Sequence, residues 1–269
     1  MSDAAAAQKA QTRAIFDRIA PEYDVAGPGC FAHFGRRLAA AAELAPGQRV
    51  LDVATGRGAV LFPAAERVGP TGVVSGVDLA EGMIRLTREE AARRGVDVAL
   101  RVMDAESLDF PDASFDRVLC GFGIMFFPQL DRALGEFRRV LKPGGRVAVS
   151  TWRISQGQDL AAILAALGLM QLSEVSALNF NTAERVEAPL TAAGFTAARA
   201  TSDDAVFHFT DLEQYWQDAR GTGLRRWLDA LDDEQRERAM VALAARLAPQ
   251  QRADGLYLAS SAMLAVAER

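Results

Sequence analysis

From residue 47 to about residue 151, short and nearly unbroken apolar runs alternate with longer stretches in which apolar residues return at helical spacing. The runs 49–54, 72–77, 97–102, 115–120 and 146–151 read as strands, the first as a buried parallel strand and the last alternating. The stretches 59–68, 81–94 and 129–141 read as helices, the last stopped by Pro143-Gly144-Gly145. Repetition of strand and helix in this order predicts an α/β fold with an open, mostly parallel sheet and helices on both faces.

Two helical stretches come first, 4–19 and 31–44, separated by Pro21, Gly27 and Gly29. Beyond Thr151 the pattern loosens. Residues 159–172 and 183–193 read as helical, and 196–210 as two short β-like runs around Asp203-Asp204. Residues 211–247 are almost wholly helical and carry Trp216 and Trp227. Residues 255–267 (GLYLASSAMLAVA) suit a helix by composition; a strand over 260–266 is preferred, because the sheet has no other candidate for its last edge. The expected organisation is an N-terminal helical cap (1–46), a core (47–210, completed by 251–269) and a helical insertion (211–250).

Composition narrows the function classes. Half of the 269 residues are hydrophobic, enough for a sizeable core. The formal charge is -5, no window clusters Lys or Arg, and Lys9 and Lys142 are the only lysines, so a surface built for nucleic acid is not expected. Residues 1–10 lack the basic start and apolar core of a signal peptide. No stretch reaches about 18 uncharged apolar residues, so no membrane span is expected. Cys30 and Cys120 read as two free thiols in a reducing cytoplasm. The histidines and cysteines are too scattered for a metal motif. Oligomeric state is not readable; a homodimer stays open.

Three segments carry candidate chemistry. Asp52-Val53-Ala54-Thr55-Gly56-Arg57-Gly58 follows the first strand; its glycines let the backbone turn tightly and approach a ligand, and the next helix offers its amide-rich end. A dinucleotide fingerprint would continue with a third glycine where this chain has Leu61. Asp78 closes the second strand, 22 residues after Gly56, where a carboxylate can accept both hydroxyls of a ribose; the spacing suits NAD and S-adenosylmethionine equally. Asp104-Ala105-Glu106 follows the third strand. A carboxylate there can accept from an exocyclic amine while a backbone N–H donates to a ring nitrogen, and that pair of contacts reads adenine.

At this point VLDVATGRG (50–58), VDLAEGM (77–83), MDAESLDFPDASFD (103–116) and RVLKPGGRV (139–147), in that order, resemble the class I S-adenosylmethionine-dependent methyltransferases. The branch they are most similar to holds the ubiquinone and menaquinone C-methyltransferases, whose N-terminal segment residues 15–24 also resemble. The resemblance implies a Rossmann-like sheet of order 3-2-1-4-5-7-6 with the last strand antiparallel, and S-adenosylmethionine as cofactor. It implies that Asp52 faces the methionine amine, that Ala54, Gly56 and Gly58 bring backbone against the methionine, and that Asp78 holds the ribose. Met83 would pack on the adenine, Asp104 and Ala105 would read its edge, and Cys120 and Gly121 would touch the methionine end. Tyr23 would close the site; Thr55, Leu79 and Glu106 complete the cofactor set. The insertion 211–250 becomes a substrate lid. After Tyr23 the chain reads DVAGPGCFAHFGRRL, and its insertion is longer and richer in arginine than in the quinone enzymes, so the resemblance carries the cofactor and leaves the substrate open.

The implied function is methyl transfer, by direct displacement in a closed site, to an oxygen or carbon of a small, largely hydrophobic (aromatic or isoprenoid-like) molecule. His208 and His33, the only histidines, are candidate bases by their neutral-range pKa, although an ordinary partly buried histidine is the reading preferred for each. Phe122, Met125, Phe126 and Trp216 are candidates for the substrate pocket, whereas Phe115, Phe127 and Trp152 read as core. Two rivals remain. One is a methyltransferase-like protein that binds the cofactor without transfer. The other is an NAD(P)-dependent short-chain reductase, which would need Tyr-x-x-x-Lys; four residues after Tyr23, Tyr215 and Tyr257 stand Gly27, Ala219 and Ser261.

Overall fold

The computed structural model describes residues 3–154, 157–171 and 180–269. Helices α1 (Asp3–Ile19) and α2 (Cys30–Ala41) precede β1 (Arg49–Val53), α3 (Leu61–Val68), β2 (Val73–Asp78), α4 (Glu81–Arg94), β3 (Ala99–Val102) and β4 (Phe115–Gly121). A 3-10 turn at Ile124–Phe126 leads into α5 (Leu130–Val140) and β5 (Leu141–Ile154). Then come α6 (Gln158–Ala166), α7 (Ala183–Ala192), β6 (Thr196–Phe209), α8 (Leu212–Arg220), α9 (Arg225–Leu228), α10 (Asp233–Leu247), β7 (Gln251–Arg252) and β8 (Gly255–Glu268).

The sheet order is β3-β2-β1-β4-β5-β8-β6, with β7 paired to β8. The first five strands are parallel, and β8 runs antiparallel to both β5 and β6. This is the expected α/β architecture and order, with the two-residue β7 added before the final strand.

Alternate residues of each strand feed opposite faces of the sheet. Val50, Leu119 and Ala148 pack with Phe34 and Leu38 of α2 and Leu61 of α3. Leu51, Val118 and Val147 pack with Leu134 and Phe137 of α5 and Leu190 of α7. Among the described residues no helix is long and apolar enough to cross a membrane.

Two expectations at the C-terminal end are corrected. Residues 196–210 do not form two runs but the single strand β6, continuous through Asp203 and Asp204. As an edge strand it can place acids sideways: Asp203 Oδ2 meets Arg37 Nε at 2.5 Å, and Asp204 accepts from Ser261 Oγ and Arg153. The final strand is twice as long as 260–266, because β8 is hydrogen-bonded along both edges, and its small residues leave room for α2 above it. The helix expected over 159–172 ends at Ala166, and Leu172 lies outside the described residues.

Candidate active site

β1 and β4 are neighbours in the sheet, yet their connections leave in opposite directions: β1 leads to β2 on one side, β4 to β5 on the other. Such a reversal opens a crevice at the carboxyl ends of the two strands. Both strands end on a non-glycine residue with left-handed backbone, Ala54 at φ 55 and Phe122 at φ 57. Strained backbone of this kind persists where the surroundings over-determine it, and it clusters at ligand sites. Gly56 (φ 51) and Gly58 (φ 83) continue the bend, and any Cβ at Gly123 would lie 2.7 Å from the Cβ of Ala54.

A cavity of about 280 Å³ fills this crevice. One end is lined by Asp78, Leu79, Met83, Asp104, Ala105 and Glu106. The middle is floored by Ala54, Gly56 and Gly121. Toward the other end stand Tyr23, Phe31, Phe122, Trp152, Tyr215 and Asp218.

Asp78 Oδ2 accepts from Gly56 N at 2.8 Å and Oδ1 from Ala80 N at 2.9 Å. Each oxygen keeps a second lone pair, so the carboxylate can still take two hydroxyls. Burial pushes its pKa up to about 6 although the two amides favour the anion. Asp104 Oδ1 accepts from Glu106 N at 2.9 Å, which fixes the turn after β3. Lys9 of α1 bridges Asp104 Oδ2 (2.6 Å) and Glu106 Oε2. Burial works against charge on Lys9, but the two carboxylates outweigh it and raise its pKa.

Asp52 lies beneath the turn rather than in the cavity wall. It is fully buried, takes the Thr55 hydroxyl on Oδ2 at 2.6 Å, and leaves Oδ1 without a partner. Burial, with the charge of Asp78 adding, moves it up to about 7 against the pull of Thr55. A buried carboxylate oxygen without a partner, under a glycine bend, fits a ligand carrying a cationic amine above it. With Asp78 and Asp104 at the ends of successive strands, the donor and acceptor set fits an adenosine bearing an amino-acid arm.

The pattern of residues 50–145 matches a family described as a methyltransferase domain. Residues 50–145 thus form a methyltransferase domain. The chain is 44% identical over 144 residues to aklanonic acid methyltransferase DauC of Streptomyces sp. (strain C5), covering 53% of this chain and 66% of that one. It is 41% identical over 139 residues to the ubiquinone/menaquinone biosynthesis C-methyltransferase UbiE of Bordetella avium, covering 50% and 54%. The chain thus spans about half to two thirds of the length of the curated relatives it matches. The fold is also that of the YcgJ protein of Bacillus subtilis, with a TM-score of 0.59 and 22% identity over 88% of this chain and 98% of the other.

Of the residues expected at the methyltransferase site, the cavity brings together Tyr23, Ala54, Gly56, Asp78, Leu79, Met83, Asp104, Ala105, Glu106 and Gly121, with Phe122 and Phe126. Asp52, Thr55, Gly58 and Cys120 lie behind that wall. Met125 and Trp216 are core residues and do not reach it. On α8 the cavity face is Tyr215, Asp218 and Ala219, a helical i, i+3, i+4 row, with Thr222 of the following turn beside it; Trp216, about 100° around the helix, points into the core. Conversely Trp152 and Phe127, read as core, do line the cavity, and Trp152 stacks on Phe122 with ring centres 4.2 Å apart.

Neither histidine lines the cavity. His208 Nε2 is 2.9 Å from the Asp254 carbonyl and its ring lies against Tyr257. His33 packs between Phe34 and Phe207, and burial lowers its pKa. The expectation of a histidine base therefore finds no support in the geometry. Lys9, Phe31 and Asp218 were not singled out from sequence. The available signal for Asp218 was an acid inside the apolar row of α8.

Proposed function

We propose that this protein transfers a methyl group from S-adenosylmethionine to an oxygen or carbon of a small, largely hydrophobic, aromatic or isoprenoid-like molecule. The observation that carries the reading is that one cavity is lined both by Asp78, Asp104 and the Gly56 bend and by the rings of Tyr23, Phe31, Phe122 and Trp152. When bound, the cofactor supplies a methyl carbon already made electrophilic by its sulfonium, so the protein has little covalent chemistry to do.

The chain's own work is binding, orientation and exclusion of water. Asp78 would hold the ribose, Met83 would pack on the adenine and Asp104 with the Ala105 amide would read its edge. Asp52 would favour the methionine amine from beneath. Tyr23 stacks on Phe31 at 4.8 Å, and Phe31 packs edge-on against Phe122 and Trp152, so one set of rings closes the chamber. Residues 211–250 contribute Tyr215, Asp218, Leu224 and Trp227 to the wall, which supports reading them as a lid; residues 1–46 contribute Lys9, Phe16 and Tyr23 as a cap. The buried free thiols Cys30 and Cys120 support a reducing, cytoplasmic setting.

The test is calorimetry with S-adenosylmethionine and with NADPH, followed by incubation of labelled S-adenosylmethionine with phenols, quinones and polyketides. Binding of the first nucleotide and label transfer to at least one acceptor are expected. Tight binding of NADPH alone would overturn the reading.

A further inference from the structure

We propose that Asp218 is the base that takes the proton from the methyl acceptor, and that the acceptor presents its reactive atom as an aromatic hydroxyl or enol rather than as a carboxylate. This rests on the methyl-transfer reading above and deepens it.

Four carboxylates line the cavity. Three are committed at the adenosine end: Asp78 to the amides of Gly56 and Ala80, Asp104 and Glu106 to Lys9. Asp218 stands apart, at the aromatic end. Among the described residues no lysine or arginine pairs with it. Arg153, also in the wall, is held by Ser261 and Asp204. The charge that acts on Asp218 is that of Asp24, which already accepts from the amides of Phe31 and Ala32 at the start of α2.

The carboxylate of Asp218 seats directly against the backbone of Gly27, where an added Cβ would lie 2.1 Å from Oδ1. Glycine at 27 thus makes room for it. The remaining titratable groups facing it are Tyr23 from the α1–α2 connection, Cys30 of α2 and Tyr215 of α8 itself. Burial raises the pKa of all three, so none is an anion at neutral pH. Burial, with the charge of Asp24 adding and the Gly27 amide opposing, brings Asp218 up to about 7. A base poised near the working pH is the efficient one.

Asp218 shares the cavity wall with the bend as well. The ring of Tyr23 approaches within 3.9 Å of the position a Cβ on Gly56 would take, and Tyr23, Gly56 and Asp218 line the same cavity. In the step, the acceptor O–H bond breaks and its proton passes to Asp218. The oxygen lone pair forms the O–CH3 bond as the C–S bond breaks, and that bond's electron pair stays on a now neutral sulfur. The proton then leaves Asp218 to solvent. A carboxylate acceptor has no proton to give, and beside Asp24 and Asp218 it would meet two like charges in a poorly hydrated chamber.

The experiment uses the full-length protein, wild type, Asp218→Asn and Asp218→Ser. Calorimetry with S-adenosylmethionine checks folding and the cofactor half. With S-adenosylhomocysteine bound, 4-nitrophenol is titrated by its visible phenolate band. In the wild type the phenol should ionise about one pH unit or more above its free value, since a neighbouring carboxylate disfavours a second anion; both variants should return it at least halfway. For an acceptor found by the labelled panel, Asp218→Asn should cut kcat by 100-fold or more and remove the acidic limb of its pH profile, with cofactor affinity kept within about threefold. An unshifted or unbound 4-nitrophenol in the cofactor-competent wild type, a shift that survives both variants, or an unchanged pH profile would overturn the proposal. Failure of the wild type to bind S-adenosylmethionine would instead overturn the reading on which it rests.

Discussion

Lys9 Nζ sits 2.6 Å from Asp104 Oδ2 and also contacts Glu106 Oε2, so the first helix is bolted to the turn after β3 by one of the chain's two lysines. The contact is shielded, with side-chain exposures of 11% for Lys9 and 1% for Glu106. Breaking a buried pair leaves the other charge uncompensated, at a cost of about 3 kcal/mol. We expect Lys9→Met to destabilise the protein by about that much in urea unfolding. A Lys9→Met/Glu106→Gln double variant should lose clearly less than the sum of the single losses, because their charges are coupled. Additive losses would show that the bolt carries no interaction energy.

Asp78 closes β2 with one oxygen on each of two backbone amides, and it faces the cavity. Asp78→Ala should weaken S-adenosylmethionine binding by more than roughly tenfold, since a carboxylate shared by two hydroxyls makes charge-assisted bonds. Calorimetry at constant pH reads this directly, and an unchanged affinity would remove the ribose role.

Four carboxylates, Asp24, Asp52, Asp78 and Asp218, are pushed up to about 6 or 7, chiefly by burial. Their unfolded values lie near 3.9. Between about pH 4 and 7 the folded chain therefore holds protons that the unfolded chain has lost, and stability falls as pH rises through that window. His33, whose pKa burial lowers, acts the other way below about pH 6.5, as one group against four. Carboxylates with lowered values, such as Asp116 and Glu136, lose their contribution only below the window. The ligand-free protein should thus show a higher Tm at pH 5.5 than at pH 7.5, and Asp52→Asn should flatten the slope. A Tm that rises steadily with pH from 5.5 to 7.5 would contradict it.

Gly123 and Gly135 give a matched pair. A Cβ at Gly123 would lie 2.6 Å from Cys120 Sγ and 2.7 Å from Ala54 Cβ, in the close approach of β1 and β4 that makes the crevice. A Cβ at Gly135, inside α5, would meet nothing within 4 Å. Gly123→Ala should cost about 1–3 kcal/mol through overpacking and weaken cofactor binding. Gly135→Ala should stabilise by about 0.5–1 kcal/mol, because glycine is a poor helix residue. Equal effects from the two would show that local packing at the crevice is not what demands glycine.

The cofactor half of the site was legible because its residues are tied to strand ends. Asp78 ends β2, Asp104 follows β3 and Asp52 lies one residue before the end of β1, and parallel topology brings these strand ends to one edge. The other half depends on distant segments meeting over that edge. Lys9, Phe31 and Asp218 lie far apart in sequence, and no local pattern states that α1, α2 and α8 converge. Long β6 was read as two runs because Asp203-Asp204 looks like a break; its arginine and serine partners come from α2, β5 and β8. The strand β8 was recognised by the needs of the sheet rather than by its own helix-prone composition, and so its ends were misplaced.

The contrast between His208 and Trp152 gives the last test, since the sequence offered the first as a candidate base and the second as packing. His208 is on the edge strand β6, bonded to the Asp254 carbonyl and resting on Tyr257, with the cavity on the far side of its strand's neighbours. Trp152, at the end of β5, lines the chamber and stacks on Phe122, the residue whose left-handed backbone ends β4. His208→Ala should leave kcat and acceptor KM within about twofold, because no reacting atom can come within hydrogen-bond reach of it. Trp152→Ala should raise acceptor KM by roughly tenfold or more, through loss of a large apolar wall, while S-adenosylmethionine affinity stays near wild type. Steady-state kinetics with any acceptor methylated by the wild type separates the two, and a kcat collapse in His208→Ala with Trp152→Ala unaffected would reverse the assignment of the chamber.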